Sequence, residues 1–67
     1  MIQIKLNGKQ FKVATGKTIL ELLDLHNIAP EKVAIEHNAI ILSQDNYNKT
    51  IINNDDNIEI VEFVGGG

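Results

Sequence analysis

Ile2-Gln3-Ile4-Lys5-Leu6-Asn7-Gly8-Lys9-Gln10-Phe11-Lys12-Val13 is the stretch on which the fold turns. Ile2, Ile4 and Leu6 alternate with Gln3 and Lys5, the period-two pattern of a strand with one buried face, and Gln10-Phe11-Lys12-Val13 alternates again. Between them, Asn7-Gly8 supplies two residues that tolerate the positive φ of a type I′ turn, so the chain opens with a β-hairpin. Ala14-Thr15-Gly16-Lys17 then breaks the alternation. Thr18-Ile19-Leu20-Glu21 has the form of a capping box, in which Thr18 caps the backbone and Glu21 reaches back, and a helix starts there. Its apolar stripe comprises Ile19, Leu20, Leu22, Leu23 and, at the margin, Leu25, with Glu21 and Asp24 turned to water.

The helix frays around His26-Asn27, and Pro30 cannot continue it, so Ile28-Ala29-Pro30 reads as a connection closing one end of the core. Val33-Ala34-Ile35-Glu36 is a third strand, and a tight turn at Asn38-Ala39 leads into the short apolar segment Ile40-Ile41-Leu42. Ser43 to Lys49 is polar apart from Tyr47, which is expected to pin a loop or single helical turn to the core before Thr50-Ile51-Ile52. Asn53-Asn54-Asp55-Asp56-Asn57 is a dense turn signal, because Asx side chains bond nearby backbone and accept left-handed conformations. Ile58-Glu59-Ile60-Val61-Glu62-Phe63-Val64 is the last strand and runs directly into Gly65-Gly66-Gly67. The order β-β-α-β-(β)-β predicts an α+β architecture, a mixed four- to five-stranded sheet with one helix packed across one face. Right-handed crossover through the helix places the last strand in the middle, beside the first.

Length and composition narrow the function classes. With 67 residues there is room for one small domain and no second. Zero cysteines exclude disulfides, thiolate metal sites and a catalytic thiol, and permit a reducing compartment. Hydrophobic residues at 43% are too many for a disordered chain. A net charge of -3 with six unclustered basic residues argues against nucleic-acid binding. The alternating N-terminus has no apolar leader core, and no run approaches membrane-spanning length, so the expectation is a cytoplasmic protein with no membrane partner.

The glycine run is the chemically telling element. Glycine is costly to order and adds nothing to a core, so residues 65–67 are read as a flexible tail behind a domain of residues 1–64. Residues without side chains let a backbone thread a narrow channel in another enzyme, and leave the Gly67 carboxylate open to adenylation and then to a sulfur nucleophile. A frayed end or a tag remnant is the competing reading, against which the strand leading straight into the glycines argues. On the last strand both parities carry apolar residues. Val61, Phe63 and Val64 are therefore either shielded by neighbours or a docking patch for a partner. His26 and His37 lack companions at metal spacing and are read as solvated or locally hydrogen-bonded, with no metal site. The Asn53–Asn57 run lacks the central Gly and distal Glu of a calcium loop. Glu21 and Asp24 are read as a solvated helix face, and no catalytic residue is assigned.

The element order, the segment from Val33-Ala34-Ile35-Glu36 to Tyr47, the last strand and above all Phe63-Val64-Gly65-Gly66-Gly67 resemble the ThiS family, the ubiquitin-like β-grasp sulfur carriers of thiamine biosynthesis. The resemblance covers the whole chain. It implies that an E1-like (ThiF-like) adenylyltransferase uses ATP and Mg to activate the Gly67 carboxylate. A sulfur relay fed by a cysteine desulfurase then makes a thiocarboxylate, and a ThiG-like thiazole synthase takes the sulfur. The chain would bind no cofactor itself and would be a protein cosubstrate, not an enzyme. Where the family often has Gly, Pro-Arg and Trp, this sequence has Ala39, Ser43-Gln44 and Tyr47; where it often has Asp-Gly-Asp, it has Asn54-Asp55-Asp56. Two alternatives stay open: a carrier of the same fold serving molybdopterin or another sulfur pathway, and a ubiquitin-like modifier or interaction module.

Overall fold

The computed structural model describes residues 1–63; the expectations that fall on Val64, Gly65, Gly66 and Gly67 lie outside the described residues. Strands β1 (Ile2–Leu6) and β2 (Lys9–Val13) pair antiparallel, from Ile2 opposite Val13 to Leu6 opposite Lys9. The two turn residues have φ of 51° at Asn7 and 82° at Gly8, the left-handed pair that the hairpin requires.

Helix α1 (Ile19–Leu25) begins at the predicted capping box: the Glu21 N–H donates to Thr18 Oγ1 at 3.1 Å, and the Thr18 N–H donates to Glu21 Oε1 at 3.0 Å. The first helical N–H groups find carbonyls elsewhere in the chain, Ile19 bonding Thr50 at 3.0 Å and Leu20 bonding Tyr47 at 2.9 Å. At the other end the helix does not fray but stops on a defined motif. Asn27 turns left-handed at φ 57°, its N–H bonds the Asp24 carbonyl at 3.0 Å, and the Ile28 N–H bonds the Leu23 carbonyl at 2.9 Å. Ile19, Leu22 and Leu23 are buried as expected, but Leu25 is 62% exposed. At 100° per residue it falls about 100° round from the middle of the buried stripe, too far for its side chain to reach the sheet.

A 3₁₀ turn over Pro30–Lys32 delivers the chain to β3 (Val33–His37), one residue longer than predicted, and the Asn38-Ala39 turn returns it as β4 (Ile40–Leu42). A second 3₁₀ turn over Gln44–Asn46 precedes Tyr47, which is buried and turns its hydroxyl toward the Val33 carbonyl, a long contact of 3.4 Å. β5 spans Asn57–Glu62. It starts one residue earlier and ends sooner than predicted, although the Phe63 N–H still bonds the Lys32 carbonyl at 3.0 Å.

The sheet order is β2-β1-β5-β3-β4, so all five strands form one sheet and β5 is central. It runs parallel to β1, with Leu6 opposite Ile58, and antiparallel to β3, with Ile35 opposite Ile60. Ile4, Ile35 and Ile58 meet Ile19, Leu22 and Leu23 in the core between sheet and helix, and Val13, Val33, Tyr47 and Ile52 complete it. Strand alternation sends Lys5, Lys12, Glu36, Ile41, Glu59 and Val61 to the face that α1 does not cover.

Candidate functional site

The candidate site is the exit of β5, the last described strand before the glycine run of the sequence. β5 is held from both sides. Toward β1, the Asn7 N–H donates to the Ile58 carbonyl at 2.9 Å and the Asn7 Oδ1 accepts from the Ile60 N–H at 2.7 Å. The chain turns away from β5 at residue 7, so this carboxamide oxygen stands in for the backbone carbonyl that a longer β1 would have offered. Toward β3, register runs on to Val33 opposite Glu62. The anchored part of the chain therefore extends to within a residue of Val64-Gly65-Gly66-Gly67.

Val61 is 53% exposed and Phe63 60% exposed, so the reading in which neighbours shield them does not hold. The physical reason is the placement of the helix. α1 packs on the side that carries Ile58 and Ile60, and Ala34, directly opposite Val61, is too small to cover it. Ile41, on the same open face, is 77% exposed. Glu36 and Glu59 lie directly opposite each other in the middle of this face, a like-charge pair that is unfavourable for the free domain and favourable for a cationic partner. Lys5 and Lys12 stand further out, toward β2. The face thus grades from basic through acidic to apolar as it approaches β4 and the exit of β5. Val64 and the three glycines, the remaining predicted site residues, lie outside the described residues.

A second cluster escaped sequence reasoning. Asp56 is almost fully buried, and its Oδ2 accepts from the Asn53 N–H at 2.8 Å and from His37 Nε2 at 2.8 Å, while its Oδ1 accepts from Asn38 Nδ2 at 3.1 Å. A carboxylate only accepts, so His37 Nε2 carries the hydrogen. Burial raises the Asp56 pKa, but the bonds from Asn53, His37 and Asn38 outweigh it and hold the carboxyl below its ordinary value of 3.8. Asn38 in turn accepts from the Asn57 N–H at 2.8 Å, which ties the β3–β4 turn to the start of β5. This clasp is structural and sits at the opposite end of β5 from the exit. His37 is locally engaged, as one of its two readings had it. The available signal was the density of Asx residues around β5, which reads as a turn without revealing its partner.

A five-stranded mixed sheet crossed by one helix, with the last strand at its centre between β1 and β3, defines the class: a ubiquitin-like β-grasp domain. The ThiS family profile matches residues 4–67. The crystal structure of the thiamine biosynthesis protein ThiS from Geobacter metallireducens superposes with a TM-score of 0.84 at 30% identity, covering 98% of this chain and 100% of that one. The sulfur carrier protein ThiS of Bacillus subtilis is 39% identical over 66 residues, covering 96% of this chain and 98% of that protein. The chain belongs to the ThiS family, the sulfur carriers of thiamine biosynthesis. A thiazole synthase of Magnetococcus marinus is 41% identical over 66 residues, and this chain, 98% of it aligned, spans only 20% of that relative's length. Among the described residues no helix is long and apolar enough to cross a membrane.

Proposed function

We propose that this chain carries sulfur as a thiocarboxylate on Gly67 for the assembly of the thiamine thiazole. An E1-like adenylyltransferase joins the Gly67 carboxylate to the α-phosphate of ATP, Mg assisting, with pyrophosphate leaving. The terminal sulfur of a persulfide, supplied by a relay from a cysteine desulfurase, attacks the acyl carbon and expels AMP; a thiol reductant then cleaves the S–S bond of the acyl disulfide, is itself oxidised to a disulfide, and leaves the thiocarboxylate on Gly67. Thiazole synthase then takes the sulfur. Gly65 and Gly66 keep the path to the carbonyl clear of side chains, and the chain works in the cytoplasm as a cosubstrate without catalysing any step.

The observation that carries this reading is the central strand. β5 is bonded toward β1 as far as the Ile60 N–H and toward β3 as far as the Phe63 N–H, so the enzyme that seizes the terminus meets a strand anchored to its last described residues. The exposed Val61 and Phe63 form the surface on which both enzymes dock, and Glu36 and Glu59 favour partners with a cationic rim. A relative in which a segment similar to this chain lies within a thiazole synthase supports thiazole synthase as the acceptor. Incubating the chain with the adenylyltransferase, Mg-ATP, cysteine, the desulfurase and a thiol reductant is expected to raise its intact mass by the sulfur-for-oxygen difference. An unchanged mass, or a gain mapped to a residue other than Gly67, contradicts the proposal.

A further inference from the structure

β5 outruns its neighbour. β1 ends at Leu6 and the chain turns off at Asn7-Gly8, whereas β5 continues to Glu62. The alternation of backbone groups along β5 can be read bond by bond. The carbonyls of Asp56 and Ile58 accept from Lys5 and Asn7, and the Ile60 N–H reaches Asn7 Oδ1, so even-numbered residues turn their backbone groups toward β1. The Asn57 carbonyl accepts from Asn38, and the Phe63 N–H donates to Lys32, so odd-numbered residues turn theirs toward β3. The same alternation aims the Ile60 carbonyl and both the N–H and the carbonyl of Glu62 at the space beyond the hairpin turn. Among the described residues no strand lies there, and none of the described bonds reaches these three groups.

We propose that this strip, Ile60 to Glu62 on the side facing away from β3, is an edge on which an extended segment of the tail-processing enzyme adds as a β-strand. Strand addition draws its affinity from main-chain hydrogen bonds. Length selects the occupant. Three residues bury far less than the roughly 1,200 Å² that a stable pair of copies needs, so the strip serves only a partner that also holds the tail and rests on Val61 and Phe63. Asn7 sets where the strip begins, since its carboxamide closes the ladder at Ile60.

The partner's identity rests on the sulfur-carrier reading, but the edge is tested without sulfur chemistry. Glu62→Pro removes the N–H at a position where the sheet uses none, and Val61 before it is already extended, so the fold tolerates it. Glu62→Ala, which loses the same carboxylate and keeps the N–H, is the reference. The expected result is that Glu62→Pro binds the adenylyltransferase at least about tenfold more weakly than Glu62→Ala in titration calorimetry, a loss of about 1.4 kcal/mol. Independently of either variant, the Glu62 amide of the unaltered chain should exchange its hydrogen rapidly when free and at least about tenfold more slowly in the complex. Equal affinities of the two variants, or no slowing in the complex, overturns the proposal; so does protection that grows with the concentration of the free chain, which would assign the edge to a second copy. Protection of Glu62 in a chain that never gains sulfur would retain the edge and refute the carrier chemistry. Sulfur gain without protection would do the reverse.

Discussion

Replacing Asn7 by glycine separates the two tasks this residue performs. Its φ of 51° is one that glycine adopts freely, so the hairpin turn survives, and what disappears is the 2.7 Å bond from the Ile60 N–H to Oδ1. A solvent-accessible hydrogen bond contributes about 0.5–1.5 kcal/mol net. The added freedom of a glycine in the unfolded chain costs about 0.4–1 kcal/mol more. The expected loss is therefore about 1–2.5 kcal/mol in urea unfolding, and a domain of this size loses about 4–8 °C of Tm per kcal/mol. Asn7→Asp keeps an acceptor in place and tolerates the left-handed conformation, so it should stay within about 0.5 kcal/mol of the parent. Amide exchange adds a local reading: the Ile60 N–H should lose protection in Asn7→Gly and keep it in Asn7→Asp. If Asn7→Gly is as stable as the parent and Ile60 remains protected, the carboxamide does not hold β5 and the reasoning fails.

Ala39 sits at φ 70°, where a Cβ costs about 1–2 kcal/mol, so Ala39→Gly should raise stability by about 0.5–1 kcal/mol after the glycine's entropy is subtracted; a loss in urea unfolding would refute the strain. The folded-state pKa of Asp56 lies below its ordinary 3.8, so the stability it provides is present above that value and disappears as pH falls through the depressed pKa. Asp56→Ala should cost about 2–4 kcal/mol near neutral pH and flatten the acid limb of the stability profile, and an unchanged acid limb would place the pH dependence elsewhere. Phe63→Ala combined with Val61→Thr should leave stability within about 0.5 kcal/mol, because both side chains are largely exposed, yet weaken binding to the adenylyltransferase more than about tenfold; undiminished affinity in calorimetry would remove them from the docking surface.

Much of the fold was legible because local and global signals agree. Asn7-Gly8, Thr18 with Glu21, and the Asn53–Asn57 cluster each announce a turn or cap by side-chain chemistry that acts within a few residues, and each forms where it was expected. Ile58 and Ile60 likewise proclaim a buried parity. What was not legible depends on which distant groups meet. Nothing local reveals that Asn7 bonds Ile60, or that His37 and Asn38 converge on Asp56, since these pairs are separated by 53, 19 and 18 positions. Val61 and Phe63 were ambiguous for a related reason: apolar residues on both parities are compatible with a doubly covered strand, and only the placement of one helix on one face exposes them. The helix stop at Asn27 differs from the fraying that the sequence suggests, because a left-handed Asn and the bonds from Asn27 to Asp24 and Ile28 to Leu23 close the last turn. The glycine run stands out from composition alone, whereas the anchoring of the strand that precedes it, by Asn7 on one side and β3 on the other, required the sheet.

The most direct test of the central claim follows the sulfur itself. The chain is loaded by the adenylyltransferase with isotopically labelled sulfide, freed of small molecules, and mixed with thiazole synthase and its remaining substrates in a single turnover. The thiocarboxylate reading predicts that the label appears in the thiazole product in step with its loss from Gly67, and that the chain returns to its original mass. Product formed without label, or label retained on the chain while product accumulates, would contradict it.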